Sequence, residues 1–477
     1  MSGREPDQDP RGRERIYSEA LSDMQSRIAS LEARVGELSR QVSTHQGEIH
    51  KLRLDRQIAR FPRWMWTRLV RRFSRAKKPT ESAEPPTETP RPSGKRTKRT
   101  LAVVVPSYPS ATRAYGGQPI ERRLRYYRAA GFDVTVVVAS NSTEAAADRE
   151  GIRVVHSRSD DLLSVVQDVN PSQVCVHHPL PELWAVAKEM TDRVPVHLWI
   201  HGFEARDWRE LEFNYTPQEM ADKASQLDAI TFDRRQAIRE AFIDRSVTKI
   251  FVSEFMKKVA EDFAGIPSEN SRVIHNVIDS DTFPYSQRYD SDRRNILSIR
   301  SFARRNYATD LIRDTIRLLI DEPFFDDLTF SIVGDGQHFE EDMGELRGMP
   351  NVSVTRQFLD ARGMASAFER HGVLLVPTRW DSQGMTMGEA MSAGLVPVTN
   401  CVAAIPEFAD EQCAMLANPE DARGLADGIA RLYLEPDLFL SMSATAAQRV
   451  RAQCGPQSTV QVELDLLEEA ETTHGRH

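Results

Sequence analysis

Val373-Leu-Leu-Val-Pro-Thr-Arg-Trp-Asp381-Ser-Gln-Gly384-Met-Thr-Met-Gly-Glu389-Ala-Met-Ser-Ala-Gly394-Leu-Val-Pro-Val398 places two carboxylates around a glycine turn between two apolar runs. Val373 to Val376 reads as a fully buried strand. Gly384 breaks the chain before a helical stretch of Met, Glu and Ala, and Gly394 ends that stretch before a second apolar run from Leu395 to Val398. The backbone N–H groups around Met385, Thr386 and Met387 then stand at a helix N-terminus, where unpaired donors and the helix dipole favour a phosphate or a developing negative charge. Asp381 precedes the turn and Glu389 follows it by one to two helical turns. Two acids so spaced can hold hydroxyls at different places along one ligand, such as a sugar ring and a ribose.

An acid, seven residues and a glutamate, followed by Ala390-Met391, Gly394 and Pro397-Val398, resembles the donor signature of the family-4 retaining glycosyltransferases (glycosyl transferases group 1), of the bacterial surface-polysaccharide type. Asp381 stands where the family usually has Glu, and Gln383 where it usually has Phe. Upstream, Ile296 to Ile299 is a short apolar strand followed by Arg300-Ser-Phe-Ala-Arg304-Arg305-Asn306-Tyr307. The family places here an Arg and a Lys that grip the donor diphosphate. Arg300 and Arg305 are the candidates, with Arg304 as the alternative to Arg305, because a guanidinium offers phosphate a bidentate fork. Ile332-Val-Gly-Asp-Gly336 matches the family's I-V-G-x-G, and no third glycine makes it a dinucleotide fingerprint.

Leu101 to Val105 is a buried strand whose following loop carries Gly116-Gly117 before a helix near Pro119, and this resembles the family's glycine loop beside the donor phosphates. Val196 to His201 is a strand ending in a polar turn where the family places a functional His, which makes His201 the candidate for contact with the transferred sugar. His177 and His178 end the preceding strand and read as cleft lining. Asn276-Val-Ile-Asp279 resembles the N-G-V-D element that closes the first domain, with Val277 replacing the Gly.

Alternating strands and helices require parallel sheets covered on both faces. The resemblance implies an α/β protein with two Rossmann-like domains facing across a cleft, the GT-B architecture. The expected divisions are a disordered tail over 1–15, a coiled coil over 16–58, a basic amphipathic helix over 61–78, and a disordered linker over 79–98. An N-terminal acceptor-side domain follows over 99–283, then a nucleotide-sugar-binding domain over 290–455 and a C-terminal helix and tail over 456–477. Ser280 to Arg294 is the expected hinge, and the helix from Val460 to Ala470 is expected to pack back on the first domain, as is usual in the family.

A chain of 477 residues can hold two cores plus extras. Its net charge of -8 gives no reason to expect nucleic acid as a partner. The four cysteines show no metal-ligand spacing and fit unpaired thiols in a reducing compartment. There is no signal-peptide pattern and no apolar stretch long enough to cross a bilayer.

Leu21, Met24, Ile28, Leu31, Val35, Leu38, Val42, His45, Ile49 and Leu52 alternate spacings of three and four, a coiled-coil heptad. Frequent β-branched residues at a and Leu at d favour a parallel homodimer, with His45 as a register-setting defect. Phe61 to Lys78 has no acidic residue. Met65, Trp66, Leu69, Val70 and Phe73 share one helical face, opposite Arg68, Arg71, Arg72 and Arg75. Such a helix can lie on an anionic membrane surface, each cation contributing about 1 kcal/mol. It can also bind an acidic protein or continue the coiled coil; the membrane is favoured here. Pro79 to Gly94 cannot bury enough apolar surface to fold and reads as a tether.

The resemblance implies retaining transfer of a hexosyl or deoxyhexosyl group from a nucleoside diphosphate sugar to a growing cell-surface glycan or lipid-linked saccharide. It implies no cofactor and no metal, and a cytoplasmic enzyme peripheral at the inner face of the cytoplasmic membrane. The expected catalytic residues are His201, Arg300, Arg305, Asp381 and Glu389. The expected donor-binding residues are Gly116, Gly117, Gly384, Met385 and Thr386. The alternative is a catalytically weak coiled-coil scaffold of a polysaccharide assembly complex.

Overall fold

A computed structural model describes residues 99–109, 117–140 and 147–474. The coiled coil, the basic helix, the linker and Gly116 lie outside the described residues, all of which fall in one compact unit.

Two sheets organise that unit. The first is built from β1 (Thr100–Val105), β2 (Asp133–Ala139), β3 (Ala147–Arg149), β4 (Ile152–Ser157), β5 (Gln173–His177), β6 (Val196–Ile200), β7 (Thr248–Phe251) and β8 (Ser271–Val273), in the order β3-β4-β2-β1-β5-β6-β7-β8. Every pairing is parallel except β3 with β4. The second contains β9 (Asn295–Ile299), β10 (Thr329–Gly334), β11 (Val352–Arg356), β12 (Val373–Leu375), β13 (Val396–Asn400) and β14 (Met415–Ala417), all parallel, in the order β11-β10-β9-β12-β13-β14. In both, the order reverses beside the first strand. That switch opens a crevice at the carboxyl ends of the strands, where ligands of such sheets bind.

The central strands carry apolar residues on both faces because helices cover both. Leu101, Val103 and Val105 of β1 point into one core with Tyr127, Val134 and Trp199, while Ala102 and Val104 point into the other with Leu183, Leu198 and Phe251. The second sheet is sandwiched in the same way: Ile296 and Leu375 face one core, Leu297 and Leu374 the other.

The final helix, Val460–His474, returns to the first sheet as expected. Leu466 and Leu467 join the core of Tyr127, Val134 and Ile152, and Gln173 Nε2 donates to the Leu467 carbonyl at 2.8 Å. By packing, this helix belongs to the first domain although the chain reaches it last. Among the described residues no helix is long and apolar enough to cross a membrane. The four cysteines are unpaired, with only Cys401 exposed.

Candidate functional site at the cleft between the sheets

A cavity of about 860 Å³ lies between the strand ends of the two sheets. Gly117, His178, His201, Arg206 and Arg234 line it from the first domain. Arg300, Arg304, Asp381, Met385 and Thr386 line it from the second.

The second-domain wall is built by a local turn. Asp381 Oδ1 accepts the N–H groups of Gln383 (3.1 Å) and Gly384 (2.7 Å), closing a tight loop after β12. Gly384 continues it at φ 77°, and a Cβ there would meet Ile405 Cδ1 at 3.1 Å, so glycine is needed both for conformation and for space. The helix Met385–Ser392 starts immediately after, leaving its first N–H groups, at Met385 and Thr386, without intrahelical acceptors. Gln383 is buried and faces away from the cavity. Its amide both accepts from Asn276 N (2.7 Å) and donates to Asn276 O (2.9 Å), joining the turn to the closing segment of the first domain. Ser253 Oγ adds a bond to Ser382 O at 2.7 Å, and Glu407 accepts the N–H groups of Glu254 and Phe255 at 2.9 and 3.1 Å.

Arg300, at the end of β9, is buried. Its Nη2 donates to the Pro377 carbonyl at 2.6 Å, and its Nε has no partner among the described residues. Burial pushes its pKa below the ordinary value, with Asp381 and Tyr307 opposing that shift, and the group stays cationic. A guanidinium without a carboxylate partner, lining the same cavity as an open helix start, is a receptor for an anion.

Arg305 does not share this wall. Its guanidinium clamps Asp342 through two bonds of 2.7 and 2.9 Å and reaches Glu341 at 2.7 Å. Asp342 is fully buried and also accepts from Thr309 Oγ1 at 2.5 Å. Arg304, with extended backbone (φ -146°, ψ 149°), projects to the cavity instead. Adjacent side chains of an extended segment point opposite ways. The buried carboxylate claims Arg305, so the second cation of this wall is Arg304.

Glu389 is buried in an ion pair with Arg122 of the helix Gln118–Ala129 and is absent from the cavity lining. The pair crosses from one domain to the other. Arg122 carried no recognisable signal in the sequence, being one of several arginines on its helix.

In the first-domain wall, Gly117 begins the helix Gln118–Ala129 at φ 82°, with Ser107 O 3.1 Å from where a Cβ would sit. His201 ends β6. Its own N–H donates to Glu204, which also accepts Gly202 N at 3.1 Å and lies 3.0 Å from His178 Nδ1. Burial would raise the Glu204 pKa, but His178 and the backbone donors bring it below the ordinary carboxylate value. His201 Nε2 lies 2.9 Å from His177 Nδ1, which also faces Arg123 Nη1 at 3.4 Å. A guanidinium only donates, so His177 Nδ1 is the acceptor for both. This assigns the His201 proton to Nε2 and leaves Nδ1 as a lone pair. Burial first, then the neighbouring histidines and Arg123, hold the His201 pKa well below its ordinary value, so the ring is neutral at pH 7.

Behind the histidines, fully buried Arg123 pairs with fully buried Glu463 of the last helix at 3.2 Å and donates to Asn276 Oδ1 at 3.0 Å. Glu463 also accepts from Tyr127 Oη (2.6 Å) and Trp199 Nε1 (3.0 Å). His177 stacks on Trp199 with ring centres 4.7 Å apart. Of the two histidines read as cleft lining, His178 touches the cavity and His177 sits behind it. Among the described residues no group of three or more His, Cys, Asp or Glu is arranged to hold a metal ion.

Sequence comparison agrees with this geometry. A family model for glycosyltransferase family 4 matches residues 120–282, and one for glycosyl transferases group 1 matches 293–435. Together the two matches cover more than half of the chain, which belongs to this glycosyltransferase family. An uncharacterized 41.2 kDa protein from the cps region of Klebsiella pneumoniae is 28% identical over 200 residues, covering 39% of this chain. The chain spans about half (53%) of that relative's length. Among solved structures, sucrose-phosphate synthase from Thermosynechococcus elongatus superposes with a TM-score of 0.61 at 12% identity, over 78% of this chain and 99% of that one. Anabaena HepE in complex with UDP and glucose gives 0.59 at 14% identity, over 78% and 100%. At such identities these structures speak for the fold: two parallel-sheet domains in the GT-B arrangement.

Proposed function

We propose that this chain transfers a sugar, with retention of anomeric configuration, from a nucleoside diphosphate sugar to a growing surface glycan or lipid-linked saccharide. The observation that carries the proposal is Arg300: a buried cation with no ion pair among the described residues, lining an inter-domain cavity whose other wall carries His201. The solved HepE complex with UDP and glucose and the relative from a cps region support the donor class and the surface-glycan acceptor.

In this reading Arg300, Arg304 and the N–H groups of Met385 and Thr386 stabilise the leaving diphosphate, so that no metal is needed. Asp381 spends one carboxylate oxygen on its own turn and offers the other to sugar hydroxyls. His201, neutral with its lone pair on Nδ1, accepts a hydroxyl proton in a hydrogen bond and orients the sugar. Glu389 takes the ribose only by exchanging its bond to Arg122, which couples donor binding to the contact between domains. Water excluded from the cleft cannot compete as acceptor. Attack comes from the face that the diphosphate leaves. The N-terminal heptads would make a homodimer, and residues 61–78 would hold it to the inner face of an anionic cytoplasmic membrane. Liposome flotation with and without 61–78 tests that anchor, and equal flotation removes it.

The test of the function is a screen of nucleotide sugars for thermal stabilisation of the full-length chain, since a ligand that binds only the native state raises the apparent melting temperature. One nucleotide sugar is expected to stand out and to be hydrolysed slowly without acceptor. A panel with no stabilising member and no hydrolysis would contradict the proposal.

A further inference from the structure

We propose that the first-domain wall of the cleft recognises an anionic group, phosphate or carboxylate, carried by the acceptor saccharide; this rests on the glycosyltransferase reading above. Arg206 follows the short turn Phe203–Ala205, and its guanidinium lies 3.9 Å over the ring of Trp380 from the opposite domain. Its Nη1 is buried without a partner among the described residues. Arg234, on the long helix Pro217–Ile243, donates to Phe203 O at 3.2 Å and covers the Phe203 ring at 5.5 Å.

Burial pushes the Arg206 pKa down to about 10; Glu204 and Glu210 oppose this, while Arg304 and Arg234 add to it by like-charge repulsion. Burial likewise lowers Arg234. Neither shift reaches neutrality at pH 7, so cations converge here at an unfavourable cost.

Nearby arginines are handled otherwise. Arg209 pairs with Asp228 at 2.6 Å, Arg235 with Asp207 at 3.2 Å, and Arg379 with Asp310 at 2.8 Å. Asp207, the acid that lines the cavity on this side, is thus occupied by Arg235 and, at 3.6 Å, by Arg209. No ion pair of Arg206, Arg234 or Arg304 occurs among the described residues, and all three line the cavity.

Position separates Arg206 and Arg234 from the donor. Arg300 and the helix start at Met385 face the cavity from the second domain, whereas Arg206 and Arg234 face it from the first, beside His201. Leu211, Tyr215 and Ile230 complete that wall with apolar and aromatic surface, which suits the C–H faces of sugar rings. A saccharide bearing one negative charge fits both features, and a neutral one leaves the guanidiniums unanswered.

The experiment measures binding of glucose 6-phosphate, glucuronate and glucose to the full-length chain at fixed ionic strength, beside UDP, GDP and ADP as donor-site probes. At least one anionic sugar is expected to bind about tenfold or more tightly than glucose, as a charge-assisted contact implies. Preference between the two names phosphate or carboxylate. Arg206→Gln is expected to erase the anionic preference while the nucleoside diphosphate that binds wild type still binds within about twofold, and Arg234→Gln repeats the effect should Arg206→Gln misfold. Equal binding of charged and neutral sugars by wild type overturns the proposal. So does an equal loss of nucleoside diphosphate and anionic sugar in Arg206→Gln, which would put Arg206 on the donor. Binding of anionic sugars with no binding of any nucleoside diphosphate removes the glycosyltransferase reading itself, and the acceptor assignment with it.

Discussion

The two walls of the cleft spend their buried charges differently. In the first domain Arg123 and Glu463 pair with each other, Tyr127, Trp199 and Asn276 extend the network, and Arg123 stands behind the cavity rather than in its lining. In the second, Arg300 is bonded to one carbonyl, makes no ion pair among the described residues, and lines the cavity. A closed network fixes shape, because removing one member strands the rest in low dielectric. An open cation waits for a ligand. The contrast teaches that burial alone does not mark a functional charge; a cation without a carboxylate partner at a cavity wall does.

Mutation can break this comparison. The largest effect is expected from Glu463→Ala, which strands Arg123 and two donors: about 3–5 kcal/mol of first-domain stability, read as a fall in thermal midpoint. A midpoint like wild type would show that the network is not structural. Next, Arg300→Ala is expected to cut donor hydrolysis by about 10²–10³-fold while leaving the midpoint nearly unchanged, since its removal strands only one carbonyl.

Acidification comes third. His177 and His197 are buried and His201 is half-buried at the cavity wall, and all three have lowered pKa, to about 4 for His197, so below about pH 6.5 the unfolded chain binds protons that the folded one refuses. Stability is therefore complete above that pH and falls below it, by about 1.4 kcal/mol per histidine per pH unit. Denaturant midpoints at pH 7.5 and 5.5 check this, and identical midpoints would contradict the neutral assignment. Smaller still, Arg305→Ala leaves Asp342 buried with only the Thr309 hydroxyl, costing about 1–3 kcal/mol with donor affinity retained.

Arg305 also shows where sequence reasoning stops. The strands at Val373 and Val396 and the helix after Gly384 follow from short-range pattern, and they stand within about two residues of expectation because apolar runs and a glycine at positive φ are local facts. Choosing between Arg304 and Arg305 required knowing where Asp342 is buried, thirty-seven residues away. Glu389 was legible as an important acid, but its partner Arg122 comes from the other domain. Arg206, Arg234 and Glu463 carried no spacing signal at all: their roles arise when the long helix and the last helix dock beside β6, and no window of sequence contains both sides of those contacts.

The central claim is that a diphosphate is held in the cleft by Arg300 and not by its neighbour five residues on. Titration of the matching nucleoside diphosphate into wild type, Arg300→Ala and Arg305→Ala, each checked for folding, tests it directly. The account predicts affinity weakened tenfold or more in Arg300→Ala, the loss of a charge-assisted contact, and within about twofold of wild type in Arg305→Ala. Equal affinity in wild type and Arg300→Ala, or a loss confined to Arg305→Ala, would contradict it.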